Sequence, residues 1–274
     1  MISLVILDVE GVITRPGGSH QPWPLEDILE VRRFLEQSPL ACSLCTGRQE
    51  PYGEAMIQTL SLFKPLPEPQ RRRAMDISGQ RLLGWPSVLE NGAYLYDPIA
   101  KRPIPHPALT PERLRGLQRL QSEVLAPLVT DTGAQFEPGK DFCVSINPPL
   151  TGSGSGDRES TDSFRPIVEA AIWDYLDEVE IKHSASAVDI TPRGVSKASA
   201  VRQVLEWTGL APEEVLGVGD TRADEAWLEE VGWRAAPANG RDQLSGMHYY
   251  APREVTQGLL DILQRAQEKG YSGL

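Results

Sequence analysis

Cysteine is scarce in this chain: three residues in 274, too few and odd in number for the disulfide framework of a small secreted domain. Long apolar runs are missing as well. No stretch nears the roughly 20 consecutive apolar residues that span a bilayer, so no membrane association is expected. The first residues carry neither the basic start nor the long apolar middle of a secretory leader, and an acid at position 8 would interrupt one. Positive charge is in deficit, with 27 Lys and Arg against 38 Asp and Glu and a net charge of −11. That balance argues against nucleic acid as a partner. The one basic run, Arg71-Arg72-Arg73, sits in a Pro-rich stretch and reads as a solvated loop. There is no internal repeat. A globular chain of the cytoplasm is what these absences leave.

Cys42 and Cys45 have the Cys-x-x-Cys spacing of a redox pair or half a zinc site. They lie in the apolar run Leu40-Ala41-Cys42-Ser43-Leu44-Cys45, which reads as a buried strand, where an offset of three sends side chains to opposite faces. No second cysteine pair exists to complete a metal site. Both read as core thiols.

Length favours two domains, and 40% hydrophobic with 24% charged residues is ordinary for a globular protein. Apolar runs alternate with helical stretches. Residues 2–8 predict a strand and 25–37 a helix; 40–45 predict a second strand, followed by a helix to about 63. After a Pro-rich break at 64–69 come a short strand at 87–89, a helix at 197–208, a strand at 215–218 and a helix at 222–231. Strands spaced by helices of this length imply βαβ units and an α/β fold around a parallel sheet. The middle differs. A helix at 111–125, a strand at 142–146 and a helix near 164–176, with the flexible run Thr151 to Asp157 between the last two, read as a small α+β domain inserted into the larger one.

Four segments carry chemistry, each at the end of an apolar strand or the start of a helix. Asp8-Val9-Glu10-Gly11 ends the first strand, and residues two apart in a strand share a face, so Asp8 and Glu10 can converge on one site. Thr46-Gly47-Arg48 offers a hydroxyl and free N–H groups where a strand opens into a helix, a place to hold a phosphate oxygen. Lys197 is a point charge at a helix start. Gly219-Asp220-Thr221-Arg222-Ala223-Asp224 sets two acids four apart. Each has a plain structural alternative: Asp8 and Glu10 as a solvated acidic turn capping a buried strand, Thr46 as a helix cap, Lys197 as a solvated charge, Asp220 and Asp224 as acids complementing a helix dipole. Ligands of open parallel sheets sit outside the carboxyl ends of the strands, where all four segments can meet.

This ordered set resembles the haloacid dehalogenase superfamily, whose four motifs are an Asp-x-Asp, a Ser/Thr, a Lys and a Gly-Asp-x-x-x-Asp. The likeness extends to its Cof-type, sugar-phosphatase branch through Leu89-Glu90-Asn91-Gly92-Ala93 and through Asp189-Ile190-Thr191-Pro192-Arg193-Gly194-Val195-Ser196-Lys197. The resemblance implies a Rossmann-like catalytic core from residues 1–103 and 185–274 and an inserted, substrate-selecting cap from 104–184. It implies a Mg²⁺-dependent phosphatase of small phosphorylated metabolites, working as a monomer or homodimer. Sugar phosphates, phosphoglycolate and glycosyl phosphoglycerates are its substrate classes. Asp8 is then the nucleophile that forms an aspartyl-phosphate and Glu10 the acid/base. Thr46, Gly47, Arg48, Asn91 and Lys197 hold the phosphate. Asp8, the backbone carbonyl of Glu10, Asp220 and Asp224 hold Mg²⁺. Polar cap residues such as Lys140 and Arg158 are candidates for substrate contact, although most read as solvated surface.

The pattern breaks at Glu10, where the family's phosphatases carry Asp, and at Ala223, where Asn is common. The extra methylene of Glu moves the carboxyl by about a bond length, and misplacement of about 1 Å can be costly. A catalytically weak phosphate-ester binder is therefore the alternative reading.

Overall fold

A computed structural model describes residues 2–15, 22–149, 158–183 and 186–269. The Thr151–Asp157 run, part of the loop before the first helix and the side chain of Arg158 lie outside the described residues. In chain order the strands are β1 (Leu4–Leu7), β2 (Ala41–Leu44), β3 (Ser87–Leu89), β4 (Tyr94–Asp97), β5 (Arg102–Pro105), β6 (Gln135–Phe136), β7 (Val144–Asn147), β8 (Val179–His183), β9 (Val188–Pro192), β10 (Val215–Val218), β11 (Trp233–Ala236) and β12 (Tyr249–Tyr250). The helices are α1 (Leu25–Gln37), α2 (Glu50–Leu60), α3 (Glu68–Arg73), α4 (Pro111–Arg119), α5 (Ala126–Thr132), α6 (Arg158–Ala171), α7 (Lys197–Thr208), α8 (Glu225–Leu228) and α9 (Val255–Lys269).

The core is a five-stranded sheet in the order β12-β11-β10-β1-β2, parallel throughout. Strands buried on both faces are apolar without alternation, and Leu-Val-Ile-Leu of β1 and Val-Leu-Gly-Val of β10 meet that demand. One face packs against α1, α2 and α9 through residues such as Val5, Ile28, Met56 and Ile262. The other packs against α7 and α8 through Ile6, Val201 and Trp227. Cys42 belongs to the first cluster and Cys45 to the second, so the two thiols face opposite sides of the sheet. A three-stranded antiparallel sheet, β3-β4-β5, adjoins the β2 edge through a bridge from Val88 to Cys45.

The inserted unit has its own antiparallel sheet, β6-β7-β9-β8, and its own core, where Leu120, Ile146, Val168 and Ile190 meet under α4, α5 and α6. By strand pairing β5 hydrogen-bonds to β4 on the core side, and β9 to β7 and β8 in the inserted sheet. The division at 103/104 cuts through β5, and the division at 184/185 places β9 on the other side of the boundary from its partners.

Several elements differ from their predicted bounds. The helix expected to end at 125 passes through a π-helical stretch, Leu120–Leu125, into α5, which lets the chain accept Pro127 near the start of the new helix. The helix expected over 222–231 is a 3₁₀ turn, Arg222–Asp224, and a single α-turn. Arg71, Arg72 and Arg73 lie on α3 rather than in a loop, exposed, with Arg71 and Arg72 ion-paired to Glu68 at helical spacing.

Candidate active site

The parallel register aligns the chemistry. Leu7 pairs with Val218 on one side and Leu44 on the other. The next residue on each strand therefore leaves the sheet at the same level. Asp8 donates its N–H to the Val218 carbonyl at 2.9 Å, Cys45 donates to Leu7 at 2.7 Å, and Thr46 donates to Val88 at 2.9 Å. Asp8, Thr46 and Asp220 are thus delivered together at the carboxyl edge, and all three are buried.

Lys197 enters from α7, whose N-cap Ser196 shares a reciprocal capping box with Ser199. Its Nζ donates to Asp8 Oδ1 and to Asp224 Oδ1, each at 2.9 Å. Asp8, Asp220 and Asp224 each offer a carboxylate oxygen within 4.8 Å of the others. Three acids against one lysine leave an excess of buried negative charge. Burial, then the Asp224 charge, pushes the Asp8 carboxyl up to about 7 despite Lys197. Burial, then Asp8 and Asp224, pushes Asp220 up to about 8. Asp224 differs: burial is outweighed by Lys197 and the Trp227 hydrogen bond, which hold it below the ordinary carboxylate range. The two neighbouring carboxylates likewise outweigh burial at Lys197 and hold the ammonium well above its ordinary value.

Asp224 accepts five hydrogen bonds: from Lys197, from Trp227 Nε1, from the N–H groups of Asp220 and Thr221, and from Thr221 Oγ1. Asp220 is less occupied. Its Oδ2 accepts from Asn239 Nδ2 at 3.1 Å, and its Oδ1 is buried without a partner. An unpartnered buried carboxylate oxygen beside two more carboxylates fits a hard divalent cation with oxygen ligands. Gly11 makes room for this arrangement: its φ is +76°, and a Cβ there would lie 1.8 Å from Asp220 Oδ2.

Glu10 stands apart from the three-acid cluster. Its carboxylate receives the Arg48 fork, with Nε donating to Oε2 at 3.2 Å and Nη2 to Oε1. Arg48 Nη1 turns to Glu137 of the inserted unit at 3.2 Å. The guanidinium is therefore engaged by two carboxylates. Its backbone N–H donates to Thr46 Oγ1 at 3.2 Å. Asn91 packs on Gly47, where a Cβ would meet its Oδ1 at 2.8 Å, and its Nδ2 is buried without a partner, a free donor beside Thr46 and Gly47. Lys140 does not reach for solvent: it is buried among Glu137, Asp189 and Ser145.

Sequence reasoning missed Trp227, Asn239 and Glu137, and it missed the role of Glu90. Glu90 lies in the left-handed region at φ 45°, and its buried carboxylate accepts the N–H groups of Asp141, Phe142 and Cys143, which ties the inserted unit to the core. Burial raises its carboxyl despite those three donors. Next to it Gly92, at φ +95°, passes so close to Ser196 that a Cβ would lie 2.1 Å from the Ser196 carbonyl oxygen. The Glu-Asn-Gly-Ala segment was a visible signal for this joint; Asn239 and Glu137 had none, because each meets its partner only through the fold, and Trp227, three residues from Asp224, reads from sequence as an ordinary core aromatic.

Residues 155–263 match the family model of haloacid dehalogenase-like hydrolases. A stretch of 94 residues is 35% identical to a phosphoglycolate phosphatase of Methanobrevibacter smithii, covering 34% of this chain and 40% of that protein. The match thus spans about two fifths of the curated relative's length. In three dimensions the chain superposes on a haloacid dehalogenase-like hydrolase from Bacteroides thetaiotaomicron with a TM-score of 0.67 at 15% identity, over 97% of this chain and 99% of the other. It superposes on the sucrose-phosphatase from Synechocystis with a TM-score of 0.62 at 12% identity, over 97% and 98%. Among the described residues no helix is long and apolar enough to cross a membrane.

Proposed function

We propose that this protein is a Mg²⁺-dependent phosphatase of small phosphorylated metabolites, working through an aspartyl-phosphate on Asp8. The observation that carries the reading is Asp8 itself: a carboxylate at the end of a buried strand, 2.9 Å from Lys197 and clustered with Asp220 and Asp224. Asp8 attacks phosphorus in line as the bond to the leaving oxygen breaks, and Glu10 protonates that oxygen. Glu10 then takes a proton from water, which attacks phosphorus and frees Asp8 and inorganic phosphate. Thr46, Gly47, Asn91 and Lys197 hold the non-bridging oxygens, and Lys197 offsets the repulsion between an anionic nucleophile and an anionic substrate. Arg48 is assigned to Glu10 rather than to phosphate.

Asp8 and Asp220 carboxylates with the Glu10 carbonyl would hold Mg²⁺, and Asp224, already saturated with hydrogen bonds, would reach it through water. Mg²⁺ supplies positive charge beside the transferring phosphoryl group. The inserted unit is the cap that excludes water and selects the leaving group. Phosphoglycolate heads the substrate list on the strength of the Methanobrevibacter smithii relative, ahead of sugar phosphates and glycosyl phosphoglycerates. Buried free thiols at Cys42, Cys45 and Cys143 suit a cytoplasmic protein, acting as a monomer or homodimer.

A screen of phosphorylated metabolites and one aryl phosphate is expected to release inorganic phosphate with Mg²⁺ and to fall to background with EDTA. No release from any substrate by the folded protein sinks the proposal. The alternative, a weak phosphate-ester binder, predicts that Glu10→Asp raises the rate. The Arg48 fork on Glu10 supports the opposite outcome: the shorter side chain falls short of Arg48 by about 1 Å and kcat drops on the order of tenfold or more. Steady-state kinetics on the two proteins decides.

A further inference from the structure

Glu10 belongs to a row of charges that runs out of the core into the cap. Asp189 on β9 and Ser145 on β7 hold Lys140. Lys140 Nζ holds Glu137 Oε2 at 2.9 Å, the other oxygen of Glu137 holds Arg48, and Arg48 holds Glu10. Signs alternate along the row: Asp189, Lys140, Glu137, Arg48, Glu10. The inner members are partly buried, with side-chain exposures of 4% for Lys140, 14% for Glu137 and 11% for Arg48. The Arg48 guanidinium also lies over the Tyr52 ring, 5.2 Å from its centre.

A largely buried charge that loses one partner is left less compensated, so the loss of Glu137 is felt at Arg48 and through it at Glu10. A guanidinium is a rigid planar fork, which transmits the position of one carboxylate to the other. Glu137 comes from the cap and Glu10 from the core, and Arg48 is the piece between them. The length of Glu10 fits this arrangement: its carboxylate reaches the fork of Arg48.

We propose that Arg48 is a positioning residue through which cap docking sets the place of the Glu10 carboxylate, with Glu137 as the cap's contact. When the cap docks, Glu137 and Lys140 fix the guanidinium, and the guanidinium fixes Glu10. Undocked, Glu10 keeps its charge partner but not its orientation, so water does not meet an armed acid/base. The catalytic half of this proposal rests on the phosphatase reading; the mechanical half does not.

Coupling between two sites is reciprocal, which supplies a test independent of turnover. Wild type, Glu137→Gln, Arg48→Lys, Glu10→Gln and Glu10→Gln/Glu137→Gln are compared by amide hydrogen exchange and by steady-state kinetics with Mg²⁺. Exchange is read at Asp141, Phe142 and Cys143, whose N–H groups dock on Glu90. Glu137→Gln is expected to speed exchange there about tenfold, and Glu10→Gln, a change confined to the core, to speed it in the same direction. In kinetics Glu137→Gln is expected to lower kcat about tenfold with KM within about twofold, and to change kcat less than about twofold when Glu10 is already Gln. Arg48→Lys keeps the charge, loses the fork and is expected to behave as Glu137→Gln does.

Exchange in the cap unmoved by Glu10→Gln overturns the mechanical half. Equal losses of kcat in both backgrounds overturn the catalytic half and leave Glu137 a structural residue. A wild type that releases no phosphate refutes the proposed function, and the exchange results then decide the row alone.

Discussion

Asp8→Asn is expected to abolish phosphate release, by about 10,000-fold or more in kcat, because the amide cannot form the covalent intermediate. The same substitution is expected to make the metal-free protein more stable, by about 1–3 kcal/mol at pH 8. The two effects have opposite signs for one reason. Asp8, Asp220 and Asp224 crowd three carboxylates around a single lysine. A neutral isostere at position 8 removes one like charge from Asp220 and Asp224 and still leaves Lys197 its 2.9 Å partner in Asp224. A site that concentrates unfavourable charge for chemistry does so at the expense of the resting fold. Kinetics and thermal unfolding of the same two samples check both halves. Turnover that survives in Asp8→Asn moves the nucleophile elsewhere, and a lower melting temperature at pH 8 refutes the charge argument.

The second large effect is the response of stability to pH and Mg²⁺. In the unfolded chain these acids ionise near the ordinary value of 3.8, whereas the folded protein retains protons until about 7 at Asp8 and about 8 at Asp220. Between those limits unfolding releases protons. The stabilising contribution of the two groups is therefore fully present below about 4 and is lost as pH rises to about 8. The loss is expected to reach about 3 kcal/mol or more, which for a chain of this size is a fall in melting temperature of roughly 6–12 °C. Under the proposed function Mg²⁺ would require the ionised acids, so its binding is expected to release protons at pH 7 and its affinity to climb through the same window. Added Mg²⁺ is expected to restore the melting temperature at pH 8 and to do little at pH 5. Asp220→Asn flattens the pH slope of the metal-free protein and removes the Mg²⁺ effect. Parallel slopes in wild type and Asp220→Asn, measured by calorimetry from pH 4 to 9, contradict this account.

Much of the candidate site was legible because its residues sit where secondary structure ends. The apolar runs at 4–7, 41–44 and 215–218 read as buried strands, and Asp8, Thr46 and Asp220 follow them directly or by a residue or two. Parallel register then does the rest: three strands in step must release their next residues at one edge. Lys197 was visible as the first residue of a helix behind a Ser cap. The shortest strands were not legible. β6 and β12 have two residues each, a length at which no periodicity develops.

Local pattern thus determined the α/β class, the inserted α+β unit, and the residue types at the strand ends, since burial and period 2 or 3.6 are properties of neighbours along the chain. Partnership was decided only by the tertiary structure. That Arg48 donates to Glu10 and to Glu137, and that Lys197 reaches both Asp8 and Asp224, are facts about side chains tens to hundreds of residues apart. Hydrogen bonds and ion pairs of that kind depend on distances of a few ångströms, which a sequence sets only through the whole fold.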